Sequence, residues 1–273
     1  MEVTSTLFVV IVVIAILCQY LSVSIGVGYG TPLTPLLLII GFLPLQIVPA
    51  VLLSQLAGGI VGGLAHHRAG NIHLDFRRDE KLIKERLRGL GYLPRSTDAK
   101  VVFVLVACGV VGVLVGVFTA VNIPEVALQT YIGALVLCIG LMVLLRRSRS
   151  SVLSWNGIVA IGVLGAFNKG MSGGGYVPLV TGGQIISGRE ARSSVGSTTV
   201  AVAILCAVGF LAYLLVEGNI YWRLAAAATV GSIIAAPFAA LTARKAKTEK
   251  LRLVIGLAMI ILGALTLVRT FVL

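Results

Sequence analysis

Residues 169–187 read KGMSGGGYVPLVTGGQIIS. Four glycines fall within positions 170–175, so a helix arriving from the apolar segment before them must break there. The apolar run from Tyr176 is about 12 residues long and reaches only ~18 Å as a helix, short of the ~30 Å hydrocarbon core of a bilayer. A second stretch has the same design: GVGYG at 26–30 precedes TPLTPLLLIIGF at 31–42. Two short, glycine-led apolar segments therefore sit one in each half of the chain. Around them lie eight longer apolar stretches, at roughly 5–23, 44–66, 101–121, 126–145, 151–168, 192–215, 220–243 and 251–271, each with the ~20 residues that a crossing helix needs.

The composition admits no other class. Of 273 residues 58% are hydrophobic and 12% charged, and mean hydropathy is +1.04, whereas a soluble domain carries about 25% charged residues. A water-soluble globule, a disordered chain and a small disulfide scaffold are excluded. The start, Met1-Glu2-Val3-Thr4, lacks the basic region of a secretory signal, so the first apolar segment is expected to remain as a helix. The net charge of +12 reports loop placement rather than nucleic acid.

Seventeen of the 22 Lys and Arg lie in three loops, at 68–100, 146–150 and 244–252. The positive-inside rule makes these cytoplasmic, and the linkers at 122–125 and 217–219, without Lys or Arg, face outside. Starting inside at Arg149, the chain can return inside at 244–250 only if residues 169–190 cross as well. The same count makes residues 24–42 a crossing and puts both termini outside. The expected fold is an all-α integral membrane protein of about ten crossings in a cell membrane. It divides into two five-segment repeats, 1–147 and 148–273, the second inverted. Sparse internal matches agree: Pro35 with Pro178 and Ser54 with Ser197 at an offset of 143, and Gly70-Asn71-Ile72 with Gly218-Asn219-Ile220 at 148. Inverted repeats with broken helices are the architecture of secondary transporters.

In this topology the N-termini of both short helices meet near the midplane. Each carries about half a positive charge in N–H groups without partners, which favours an anion. The candidate binding residues are Gly28, Gly30 and Thr31 at the first break and Gly173, Gly174, Gly175 and Tyr176 at the second. Asn168, Ser172, Ser54, Gln55, Ser197 and Thr198 add neutral hydrogen-bonding groups. Lys169 has two readings: a fixed positive charge for the substrate, or a side chain snorkelling to the outer surface. Gly58-Gly59 and Gly62-Gly63 read as helix-packing glycines.

Other chemistry is absent from the pattern. His66, His67 and His73 are expected at the cytoplasmic surface, away from Ser172, which leaves neither a metal site nor a serine nucleophile with its base. Cys18, Cys108, Cys138 and Cys206 are expected to be buried packing residues. No cofactor, metal or nucleic-acid partner is expected, and no enzymatic activity; the partners are a small anion and the lipid bilayer. Oligomeric state is not encoded in these patterns, so a homo-oligomer stays open. Leu74 through Gly91 could form an amphipathic helix on the headgroup surface, with Phe76, Ile83, Leu87 and Leu90 on one face, or a solvated loop.

With S-I-G-V-G-Y-G-T-P-L-T-P-L at 24–36, Ser54-Gln55, G-M-S-G-G-G-Y-V-P-L at 170–179 and S-S-V-G-S-T-T at 193–199, the chain resembles the TauE/SafE sulfite-exporter family (TSUP permeases). The resemblance implies transport of small sulfur-containing anions such as sulfite or organosulfonates. The expected mechanism is alternating access; the alternatives are an uncoupled anion pore and a ligand-free membrane scaffold.

Overall fold

The computed structural model describes residues 3–74, 76–77, 93–94, 96–145, 155–243 and 248–272. The first half holds α1 (Ser5–Ile25), α2 (Gly30–Ile40), α3 (Pro44–Arg68), α4 (Thr97–Asn122) and α5 (Glu125–Leu145). The second holds α6 (Trp155–Ser172), α7 (Tyr176–Ile186), α8 (Ala191–Glu217), α9 (Trp222–Thr242) and α10 (Thr248–Val272). Beside the helices, Phe76–Arg77 pairs antiparallel with Leu93–Pro94. Phe76 is therefore extended rather than the start of an amphipathic helix; Ile83, Leu87 and Leu90 lie outside the described residues.

Hydroxyls set two of the helix starts. Thr4 Oγ1 accepts from the Leu7 N–H at 3.3 Å to open α1, and Ser96 Oγ accepts from the Ala99 N–H at 3.1 Å to open α4. Each satisfies a first-turn donor that has no intrahelical partner. Among the described residues, seven helices are long and apolar enough to cross a membrane: α1, α3, α4, α5, α8, α9 and residues 253–272 of α10. The expected span 151–168 is realised as α6, which runs on to Ser172 and is not among the seven, its apolarity lowered by Asn156, Asn168 and Lys169. The second break thus shrinks to Gly173–Gly175.

Burial is arranged inside out, as a bilayer requires. Large apolar side chains such as Val115, Phe118, Leu211, Leu215, Phe238 and Phe271 are exposed. Gln19, Gln55, Lys169, Gln184, Ser197 and Thr198 are buried. Lipid solvates the apolar exterior, and polar side chains find partners only inside.

Without an aqueous driving force between helices, close backbone approach supplies the packing. A Cβ on Gly112 would stand 2.4 Å from the Val163 carbonyl oxygen across α4–α6, and one on Gly231 would stand 2.4 Å from that of Val12 across α1–α9. Gly59 and Gly63 pack against Ala203 and Val200 of α8, as helix-packing glycines should. The packed pairs are largely preserved when α1–α5 are exchanged for α6–α10. Thus α4 lies along α6 as α9 lies along α1, α3 packs on α9 as α8 packs on α4, and α3–α8 and α5–α10 pair across the exchange. The short helices begin at Gly30 and Tyr176, an offset of 146 residues. The third residue of each is therefore a proline, Pro32 and Pro178, and Pro35 is not the counterpart of Pro178. Ser54 and Ser197 occupy the eleventh position of α3 and the seventh of α8, so that equivalence fails too.

Candidate functional site at the crossing of two short helices

The tips of α2 and α7 touch. A Cβ on Gly30 would stand 1.7 Å from the Gly173 carbonyl oxygen, and one on Gly174 would stand 3.1 Å from the backbone nitrogen of Thr31. Only glycine permits this approach at Gly30, and Gly173 and Gly175, at φ +71° and +81°, occupy the left-handed region that side chains disfavour. Across the crossing, the Gly175 N–H donates to Thr31 Oγ1 at 3.2 Å. The Gly174 N–H donates to Ser172 Oγ at 3.2 Å, and Ser172 Oγ donates back to the Asn168 carbonyl at 2.7 Å. The Tyr131 hydroxyl donates to Asn168 Oδ1.

Lys169 lies in the last turn of α6 and points into this junction. It is 1% exposed, so the snorkelling reading is overturned: α6 continues for three residues beyond it, which turns the side chain toward α3 and the break. Its ammonium donates to Gln55 Oε1 and, at 2.5 Å, to the Gly173 carbonyl, with the Cys206 thiol beside it. These groups are neutral. The carboxylates of the ion pairs among the described residues, Asp98 and Glu190, are held by Arg189 and Arg192, not by Lys169. Thr34 Oγ1, against Gly173, and Tyr176 Oη, whose ring packs on Gly165 of α6, are buried with no hydrogen-bond partner in the structure. A buried cation without a counter-charge, two helix N-termini and hydroxyls still able to donate form a site suited to a small oxyanion.

Most of the candidate residues meet here: Gly28, Gly30, Thr31, Gln55, Asn168, Lys169, Ser172 and Gly173 to Tyr176. Three are elsewhere. Ser54 donates to the Val51 carbonyl at 3.1 Å, beside the Tyr29 hydroxyl rather than Lys169. Ser197 and Thr198 lie at the other end of α7, where Gln184 Nε2 donates to Thr198 Oγ1 at 2.8 Å and Ser197 Oγ donates to Gln184 Oε1 at 3.1 Å. That cluster continues into a buried ion pair. Arg189 donates to Gln184 Oε1 and Asp98 Oδ1 and, at 2.9 Å, to Ser193 Oγ. Burial draws the Arg189 guanidinium below its ordinary pKa, with Asp98 opposing the shift.

Thr34 and Cys206 were not among the candidates. Thr34 had a signal, since it repeats Thr31 one turn later. Cys206 had a geometric one. Two other expectations change. His66 is buried, its Nε2 donating to the Val23 carbonyl at 3.0 Å and its Nδ1 accepting from Asn71 at 3.0 Å. Of the cysteines, Cys18 and Cys206 are buried, while Cys108 is half-buried and Cys138 exposed. The His66 bond has a counterpart: the Tyr213 hydroxyl donates to the Gly170 carbonyl at 2.9 Å. Donors His66 and Tyr213 are 147 residues apart, and so are acceptors Val23 and Gly170.

A family model described as sulfite exporter TauE/SafE matches residues 88–266. The chain is 25% identical to a probable membrane transporter protein, YtnM, of Bacillus subtilis, over 97% of this chain and 84% of the relative. No solved structure matches.

Proposed function

The chain belongs to the TauE/SafE sulfite exporter family, and from that premise we propose that it is a secondary carrier of small sulfur-containing anions, sulfite or an organosulfonate. The observation that carries the reading is Lys169, a buried ammonium held by neutral acceptors where two helix N-termini meet. The anion binds between the tips, replacing the Gly173 carbonyl as the partner of Lys169. It accepts hydrogen bonds from Thr34, Tyr176 and the first N–H groups of α2 and α7.

Two inverted five-helix repeats supply the motion. The exchange symmetry of the packing and the paired bonds of His66 and Tyr213 support this architecture. Each tip belongs to a different repeat and Gly30 lies against Gly173, so the pocket opens only when one repeat rocks against the other, in turn toward each side. The basic loops 68–100, 146–150 and 244–250 face the cytoplasm and both termini face outside.

Purified protein in proteoliposomes tests this. Labelled sulfite uptake should saturate and should accelerate when unlabelled sulfite is loaded on the far side. Uptake linear in concentration and indifferent to loading would make the protein a pore. Stimulation by carboxylates but not by sulfite or sulfonates would remove the substrate class.

A further inference from the structure

At the far end of α7 the chain holds one of its own carboxylates in a cradle of donors. Asp98 Oδ1 accepts from Arg189 and, at 2.5 Å, from Ser193 Oγ, and Asp98 Oδ2 accepts from the His73 N–H at 3.0 Å. Asp98 lies in the first turn of α4, and Ser193 in the first turn of α8. Two helix N-termini therefore converge on the position of this carboxylate, adding partial positive charge to the guanidinium. Ser194, the next residue of α8 after Ser193, is fully buried and its Oγ has no hydrogen-bond partner in the structure. The donors come from the α7–α8 corner and from His73, and the carboxylate that they hold comes from the start of α4, while Glu190 of the same corner pairs with Arg192 instead.

We propose that this cradle is a second anion subsite, at the cytoplasmic end of the path, and that Asp98 is a tethered occupant which a substrate oxyanion displaces. The proposal rests on the carrier reading above and adds to it where the substrate first docks. A sulfonate or sulfite offers the same acceptors as the carboxylate, one more oxygen, and a pair of oxygens at the spacing that an arginine fork grips. Displacement frees the α4 start from the α7–α8 corner. Docking thereby unlatches the joint between the first half of the chain and the second.

Titration calorimetry with methanesulfonate on the purified full chain in detergent tests it. The parent should bind one equivalent tightly, at the crossing, and a second weakly, because that one competes with Asp98; Asp98→Ala should bind the second at least tenfold more tightly. Adding Arg189→Gln to Asp98→Ala should remove that second equivalent. In a Lys169→Met background only the second equivalent should remain, weak with Asp98 and tighter in Asp98→Ala, so a failure of the crossing site alone leaves the Asp98→Ala gain intact. Asp98→Asn keeps the shape without the charge and should show the same gain if the alanine variant does not fold. If neither Asp98 variant binds more anion than its parent in either background, Asp98 is a structural latch and the subsite does not exist.

Discussion

Two cations, Lys169 fully buried and Arg189 partly so, sit about one short helix apart, and they are treated in opposite ways. Arg189, beyond the end of α7, has Asp98 against it. Lys169, in the last turn of α6 beside the start of α7, has a glutamine oxygen, a backbone carbonyl and a thiol. In a low-dielectric interior a charge without a counter-charge costs several kcal/mol of desolvation, so the Arg189 arrangement is the one expected of a purely structural cation. On the proposed reading, Lys169 is held at the expense of stability because a ligand completes its site.

The contrast can be broken most strongly at the paired cation. Asp98→Ala should destabilise the protein by about 3–5 kcal/mol, because it leaves Arg189 buried and unpaired. Adding Arg189→Met should recover a large part, read as the melting temperature of the purified protein without anions. Recovery of nothing would mean that the pair is too well hydrated to matter. A smaller effect is expected at the contact that closes the crossing. Gly30→Ala places a methyl 1.7 Å from the Gly173 oxygen and should cost ~1–3 kcal/mol by overpacking. It should also lower exchange in proteoliposomes well beyond any loss in folded protein. The smallest shift in stability belongs to Tyr176→Phe. The hydroxyl has no partner in the structure, so its removal should leave the stability of the protein within about 0.5 kcal/mol of the parent. Anion affinity should nonetheless drop several-fold, and unchanged affinity would place the hydroxyl outside the pocket.

Glycine patterning and hydropathy located both short helices to within a residue or two, since a break between apolar runs leaves a direct mark on sequence. Where α6 ends was less legible. Gly170 is helical and serves packing, a Cβ there standing 2.2 Å from the Val113 carbonyl oxygen, whereas Gly173 and Gly175 turn the chain. Both uses look alike in a sequence, and that ambiguity is what left Lys169 undecided. Depth along a helix was a second blind spot. Gln55 stands eleven residues beyond Pro44, the start of α3, level with the tip of the 11-residue α2. The same rise along α8 reaches Val202, well past Ser197 and Thr198, and Cys206 follows one turn later on the same face, beside Lys169. Polar residue type suggested the Ser197–Thr198 pair; depth along the helix moves the site a turn or two further, to Cys206. Asp98 and Arg189, 91 residues apart in the chain, are joined only by the fold.

The account stands on Lys169 as the charge that holds the substrate, and equilibrium binding of sulfite to purified parent and Lys169→Met tests it most directly. The parent should bind sulfite saturably. The methionine variant, folded and at least as stable without ligand, should bind it roughly 30- to 100-fold more weakly, the loss of about 2–3 kcal/mol that removal of a charged hydrogen-bonding partner brings. Equal affinity in the two proteins would contradict the account and return the crossing to a purely structural role.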